Sequence, residues 1–542
     1  MSQRSSLFQP FRSADFRLLW SAVLVSNLGG LIQAVGAGWM MASIADSADM
    51  VALVQTATTL PIMIFSLAAG ALADNFDRRT VMLVAQSSMM TASIALAVLT
   101  FQGLMTPWLL LFFTFLIGCG TALHNPSWQA SIGDLVPRSD IPSAVTLNSM
   151  AFNLMRSIGP AIGGVIVASV GAAGAFALNA VSYVPLVASL ARWKLRRPPS
   201  PLPREGFGIA ISAGLRFVAM SPNLVLVIGR AFLFGFGAVA LLALLPLVAR
   251  DLVAGGAAVY GVLLGSFGLG AIGGAFSNTW LRERLTTENL ARCAFLAFGA
   301  SAALVAISRE TWLTCLVLLP AGASWVLALS LFNVTVQLST PRWVVGRALS
   351  IYQTATFGGM AAGSWLWGLL AEARDPGTAL MVSGGFLAFG ALVGLRFVLP
   401  PLLALDLDPL DQFREPTLAL DIRSRSGPIM VMVDYEIDQK DVDAFLGAMT
   451  ERRRVRIRDG ARQWALLRDL ENPRIWTETY HVPTWVEYVR HNTRRTKADA
   501  DINERLRSLH RGPGRPRVHR MIERQTVPPA DDMPIKEHPE VP

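Results

Sequence analysis

Apolar runs long enough to cross a bilayer, about 20 residues each, recur through the first 400 residues of the chain. They fall near 17–45, 50–73, 80–101, 107–130, 143–169, 173–192, 223–248, 257–278, 289–308, 312–337, 347–371 and 377–399, which makes twelve expected membrane spans. Composition agrees: 52% of the 542 residues are hydrophobic and 16% charged, far too apolar for a soluble protein of this size. The excess stops near residue 400 and leaves a polar C-terminal part long enough for a small domain.

Orientation follows from the loop cations. One set of loops carries Arg78, Arg79, Arg138, Arg192, Lys194, Arg196, Arg197, Arg204, Arg282, Arg284 and Arg342, whereas the opposite loops carry Arg250, Arg309 and Arg374. The positive-inside rule then puts both termini in the cytoplasm. The basic, proline-rich stretch Arg196–Arg204 reads as a linker between two six-helix halves. The expected organisation is an N-terminal segment 1–16, a first half 17–192, a linker 193–222, a second half 223–399, a linker 400–427, a folded domain 428–525 and a disordered tail 526–542.

Some functions are disfavoured at this stage. Cys119, Cys293 and Cys315 lie singly inside apolar runs with no histidine nearby, so neither a metal site nor a disulfide is implied, and no cofactor is expected. The first sixteen residues lack the apolar core and cleavage site of a signal peptide, so the first span is expected to direct insertion. The net charge of +9 is spread over loops, which speaks against nucleic acid as a partner and for the lipid bilayer and a small molecule.

The halves can be compared directly, because a duplicated membrane protein retains weak self-similarity at a fixed offset. Adding 204 carries Gly70 to Gly274, Arg78 to Arg282, Pro137 to Pro341, Arg138 to Arg342, Gly159 to Gly363 and Gly164 to Gly368. Asn278 stands where the first half has Asp74, and Met360 where it has Arg156.

The loop Gly70-Ala-Leu-Ala-Asp74-Asn-Phe-Asp-Arg78-Arg79 reads on residue types alone as a charged hairpin at the membrane surface. It resembles the signature between helices 2 and 3 of the major facilitator superfamily. That resemblance implies a conformational latch in which Asp74 sits at the start of helix 11, with Arg78 and Arg79 as its partners. In span five, Gly159-Pro160-Ala-Ile-Gly163-Gly164 resembles the fifth-helix motif of superfamily exporters, where proline and glycines suit a helix that bends or slides. An ordinary packing face is the alternative.

Ser149, Asn153 and Arg156 share one face of that span, and a guanidinium there needs a wet cavity, an acid or a ligand. Arg230 lies roughly 12 Å into span seven and either faces the same cavity or snorkels. His124 lines the cavity or packs, and Asn27, Gln33, Asn333 and Gln337 add neutral hydrogen-bonding groups. No carboxylate sits deep in any span. Together with Ala175–Tyr183, these features resemble the branch of bacterial exporters that includes the enterobactin exporters and the transmembrane secretion effectors.

In the tail, Ile429–Ile437 is strand-like, Asp438–Asp459 helical, Ala461–Asp469 and Arg474–Val482 a hairpin, Thr484–His510 a second helix and Arg517–Glu523 a last strand. This order gives an antiparallel sheet with helices on one face and resembles the ferredoxin-like domains related to antibiotic-biosynthesis monooxygenases. Those pair into dimeric barrels, so the resemblance implies a homodimer through this domain. His481, His491, His510 and His519 show no catalytic spacing, and Arg452-Arg453-Arg454 reads as a solvated helix face or a lipid-head contact.

The expected fold class is an all-α membrane protein, a twelve-helix major facilitator fold of two halves, plus a small cytoplasmic α+β ferredoxin-like domain. The leading function is an antiporter-type secondary exporter of a small organic anion, siderophore-like or drug-like, and not an enzyme. An importer of the same fold and a membrane-tethered enzyme using the tail remain as alternatives.

Overall fold

The computed structural model describes residues 8–75, 77–137, 140–193, 207–341, 343–401, 407, 410 and 413–523. Lipid offers no partner for a backbone amide, so each apolar run closes its own hydrogen bonds as a helix. The helices are α1 (Ala14–Ile44), α2 (Ala48–Asn75), α3 (Arg78–Phe101), α4 (Pro107–Leu135), α5 (Ile141–Arg192), α6 (Phe207–Ala219), α7 (Pro222–Leu247), α8 (Ala257–Arg284), α9 (Thr287–Ile307), α10 (Thr311–Leu338), α11 (Val345–Ala373) and α12 (Pro376–Arg396). Several start where the sequence supplies a cap: Ser13, Asp77, Thr106, Thr286 and Asp375 each accept a bond from a first-turn amide.

Among the described residues ten helices are long and apolar enough to cross a membrane. The 52-residue α5 runs through two expected spans and loses helical geometry at Gly171, with φ 75° and ψ 177°, a backbone that only glycine adopts without strain. The 29-residue α11 stands at the eleventh expected span, and its glycines, serines and threonines lower its apolarity. With both arms of α5 and with α11, a helix stands at all twelve expected positions. The stretch 193–222, expected as a linker, contains the helix α6.

The chain forms two compact units. The first holds α1–α5 and most of α7–α12. Its N-terminal half gathers Phe16 and Leu19 of α1, Met82 of α3, Trp128 of α4 and Leu186 and Leu190 of α5 into one buried cluster. In its C-terminal half, Phe234 of α7 meets Phe295, Phe298 and Phe332 edge-on at centroid distances of 5.1, 5.7 and 6.3 Å. Against α10, α8 comes to backbone contact: a Cβ on Gly270 would lie 1.9 Å from the Leu319 carbonyl oxygen.

The second unit holds the C-terminal domain, α6 and the connection between α10 and α11. Its strands β1 (Ile429–Glu436), β2 (Arg462–Arg468), β3 (Ile475–Val482) and β4 (Arg517–Ile522) form an antiparallel sheet in the order β2-β3-β1-β4. With the helices interleaved, this is the ferredoxin-like arrangement. Alternate residues Ile429, Val431, Val433 and Tyr435 of β1 face inward, against Phe445, Ala448 and Met449 of α13 (Val442–Arg458). The helix expected over 484–510 is two, α14 (Trp485–Thr493) and α15 (Lys497–Leu509). The break is chemical: Thr496 forms a capping box with Asp499, which starts a new helix. Within the same unit, Arg458 lies over the Phe217 ring of α6 at 5.2 Å and Arg494 over Trp343 at 4.1 Å.

Inward on β3 lies Glu478, fully buried. Arg452 reaches it at 3.4 Å and Arg456 at 3.1 Å, while the Trp464 indole donates at 3.1 Å. Arg452 therefore belongs to the inner face of α13, not to the solvated face expected for the arginine run, and Arg453 and Arg454 stay exposed. Arg456 also contacts Nε2 of His491, whose Nδ1 faces the Asp459 carbonyl, so the neutral imidazole accepts a hydrogen bond from Arg456 and donates one to that carbonyl. Burial alone would raise the Glu478 carboxyl, but Arg452 and Arg456 outweigh it and hold the carboxyl at about 2. Burial, then Arg456 and Arg495, keeps the imidazole of His491 well below its ordinary value.

Both groups bind more protons when unfolded, so the stability they contribute is complete above the ordinary histidine range and declines as pH falls. Histidine 491 acts first, from about pH 6.5 downward, and Glu478 from about 4.5. Hydrogen exchange of the full-length protein, corrected for intrinsic rates, should show β3 and α13 peptides opening more readily at pH 5 than at pH 7. Glu478→Gln strands two buried guanidiniums and should cost this domain about 3 kcal/mol at pH 7, with α9 and α10 peptides unchanged.

Candidate functional site

Among the described residues two helix pairs form the tightest seams between the six-helix halves of the first unit, beside the stack of Trp39 of α1 on Tyr260 of α8. In the first, α5 lies on α8 with Gly164 against Gly261, where a Cβ on Gly164 would fall 2.3 Å from the Gly261 Cα. Nearly one turn away, a Cβ on Gly265 would sit 3.1 Å from that of Ala161. Gly159 and Gly163 face α1 instead, where added Cβ atoms would meet Leu31 at 2.9 Å and Ile32 and Val35 at 3.1 Å. The Gly-Pro stretch is thus a two-faced spacer that lets α5 touch both α1 and α8. Helical geometry persists through Pro160, and the chain turns at Gly171, between the fifth and sixth expected spans.

In the second pair, α2 lies on α11. The Thr56 and Ser364 hydroxyls are 2.5 Å apart and those of Ser66 and Thr354 2.6 Å, while the Ala48 amide donates to Glu372 at 2.5 Å. A Cβ on Gly368 would meet that of Ala52 at 2.6 Å. Small residues and hydroxyls therefore line both seams. None of these α2 and α11 hydroxyls was singled out from sequence, where single serines and threonines in apolar runs carry little signal.

The expected cavity residues separate. Gln33 faces the interior of the N-terminal half rather than a cavity: its Oε1 accepts from Ser93 Oγ at 2.7 Å and from Asn179 Nδ2. Asn179 also reaches Tyr183 at 3.1 Å, and Ser182 completes the buried cluster. Arg230, expected without an acid, is paired. It donates to Glu288 at 3.3 Å and to the Gly390 carbonyl at 2.8 Å, beneath the Phe295 ring, and Glu288 also accepts from the Leu399 amide at 2.9 Å. Glycine at 394 leaves the room, since a Cβ there would overlap the carboxylate. This pair fastens α7, α9 and α12 together and takes Arg230 out of the cavity.

His124 is buried, and its Nδ1 has no partner among the described residues. Asn27 and Asn333 are half-buried. Asn153 and Arg156 lie on the first arm of α5 and Gly70 and Asp74 at the end of α2, but their side chains fall outside the described residues. Arg78 pairs with Asp134 of α4 at 2.9 Å, and Arg79 donates to the Leu190 and Ala191 carbonyls that end α5 at 2.8 and 2.7 Å. The second half repeats the first of these ties: Arg282 and Asn278 both reach Ser330 of α10, at 3.1 and 3.2 Å.

Twelve expected spans in two halves, joined along α5–α8 and α2–α11, define a transporter of the major facilitator type. Solved structures agree on the fold: an auto-inhibited peptide transporter of the POT family superposes with TM-score 0.59 at 14% identity, over 74% of this chain and 99% of that one. A bacterial homolog of the human lysosomal transporter Spinster gives 0.57 at 12% identity, over 72% and 98%.

The profile of the transmembrane secretion effectors matches residues 5–526, and the chain belongs to that family. The enterobactin exporter EntS of Escherichia coli O6:K15:H31 is 30% identical over 71% of this chain and 92% of its own length. That of Salmonella typhimurium is 29% identical over 74% and 94%. The staphyloferrin A transporter of Staphylococcus aureus is 30% identical over a shorter stretch, 31% of this chain and 42% of its own. The family profile thus runs through the C-terminal domain, whereas similarity to the exporters leaves about a quarter of the chain unmatched.

Gly164→Ala should wedge α5 from α8, cost roughly 1–3 kcal/mol and lower the melting temperature in detergent, with transport reduced in correctly inserted protein. Gly273→Ala, on the same α8 but facing open space, should leave both unchanged.

Proposed function

We propose that the protein is a secondary active exporter that carries a small organic anion out across the bacterial inner membrane by alternating access, with both termini in the cytoplasm. The observation that carries the reading is the seam between halves, where Gly164 and Gly261 meet backbone to backbone. Such a contact has no interlocking side chains to disengage when one half rocks against the other. The latch at Gly70 and Asp74 belongs to the same cycle, with Arg78 and Arg79 anchoring the start of α3 beside it.

Substrate charge is read from Arg156. It stands one turn before Gly159 on α5, its counterpart in the other half is Met360, and no acid lies deep in any span. With Arg230 engaged by Glu288, Arg156 alone supports an anionic substrate of the catechol- or carboxylate-bearing kind. The siderophore exporters among the relatives favour the same class and direction.

Cells with and without the protein, loaded with catecholate and carboxylate siderophores and with a cationic dye, should differ in retention of the anions. Arg156→Met should abolish that difference and Arg156→Lys should preserve part of it. Normal anion export by the methionine variant, or a preference for the dye, would overturn the reading.

A further inference from the structure

We propose that the C-terminal domain carries a binding site for a small oxyanion, a carboxylate or phosphate group held by Arg452, Arg456 and Arg495 in the cleft between α13 and α15. The cleft is walled by Arg452 and Arg456 of α13, by Asp459 that caps its end, by His491 and Arg495, and by Asp499 and Asn503 of α15. Its charges do not balance. Glu478, beneath the cleft, is shared by Arg452 and Arg456. Asp459 and Asp499 are both taken by Arg458, at 2.8 and 3.2 Å. Arg495 then has only the amide oxygen of Asn492 and no carboxylate among the described residues.

A guanidinium in that position is costly, because it is half-buried beside two others. Burial, then Arg456 and Arg452, pushes its pKa down to about 10. The folded domain holds the arginine there nonetheless: its backbone carbonyl is fixed by the Leu410 amide, and Thr496 next to it is pinned by the capping box. The remaining walls discourage a cation and add neutral polar groups. His491 is neutral with both ring nitrogens engaged, and the Asn503 side chain accepts from Arg452 and donates to the Asp499 carbonyl. Guanidiniums lining one opening suit the paired oxygens of a carboxylate or a phosphate, which would supply the missing negative charge. The site is separate from the transport seam and does not depend on the transport reading.

Full-length protein in detergent, at constant ionic strength, is titrated calorimetrically with orthophosphate in one arm and citrate in the other. Saturable binding is expected in at least one arm, and the stronger arm identifies the class. Arg495→Met should weaken it by about tenfold or more, the loss of one charge-assisted contact, and Arg495→Lys should weaken it less. Arg453→Met, exposed on the same helix, should bind as the wild type does. Absence of saturable binding in both arms, equal binding by Arg495→Met, or an equal loss in Arg453→Met would each overturn the proposal. Citrate bound in the transport cavity would survive Arg495→Met and so counts against it.

Discussion

How closely two backbones can approach decides the architecture of the transporter unit. Lipid tails are as apolar as leucine, so helices in a bilayer gain nothing by hiding apolar surface from one another and must gain by close packing and hydrogen bonds. The glycines fall where that demand is highest. Gly164 and Gly261 touch across the seam between halves, Gly270 of α8 and Gly322 of α10 let those two helices meet, and Gly29 of α1 admits the Asn179–Ser182 turn of α5. The α2–α11 seam meets the same demand with facing hydroxyls. Within each half large aromatic and aliphatic side chains interlock, whereas the α5–α8 and α2–α11 seams are built of small residues and hydroxyls.

Buried charge plays two roles in this chain. In the transporter unit, Arg230 and Glu288 are enclosed with two backbone groups, Gly390 and Leu399, and act as a fastener between helices. A pair of this kind gives little net stability over an apolar isostere, but losing one partner is expensive, so it holds three helices to one register. In the C-terminal domain, Glu478 collects two arginines and an indole under a helix that carries five arginines. The domain thereby becomes sensitive to acid, through Glu478 and His491 together.

Much of the fold was legible because its signals are local. Span positions follow from apolar runs, and the tail strands from alternation of apolar residues. The failures are equally physical. Arg230 looked unpaired because Glu288 lies 58 residues away at a helix start, outside every expected span. The split between α14 and α15 was readable as Thr496 followed by Asp499, a capping box hidden inside a helical pattern. Inward-pointing Glu478 was also readable, since it alternates with Trp476, Tyr480 and Val482 on the buried face of β3. The site residues remain the least legible, because Asn153, Arg156 and Asp74 acquire meaning only from tertiary neighbours.

The central claim is that the α5–α8 seam must change for transport to occur. With Cys119, Cys293 and Cys315 replaced by alanine, cysteines at Ala161 and Gly265 would face each other across the seam, where the two Cβ positions are 3.1 Å apart. Efflux is then measured before and after oxidation and again after reduction. The account predicts that the crosslink forms, stops efflux and is reversed by reductant. Undiminished efflux by fully crosslinked protein would contradict it.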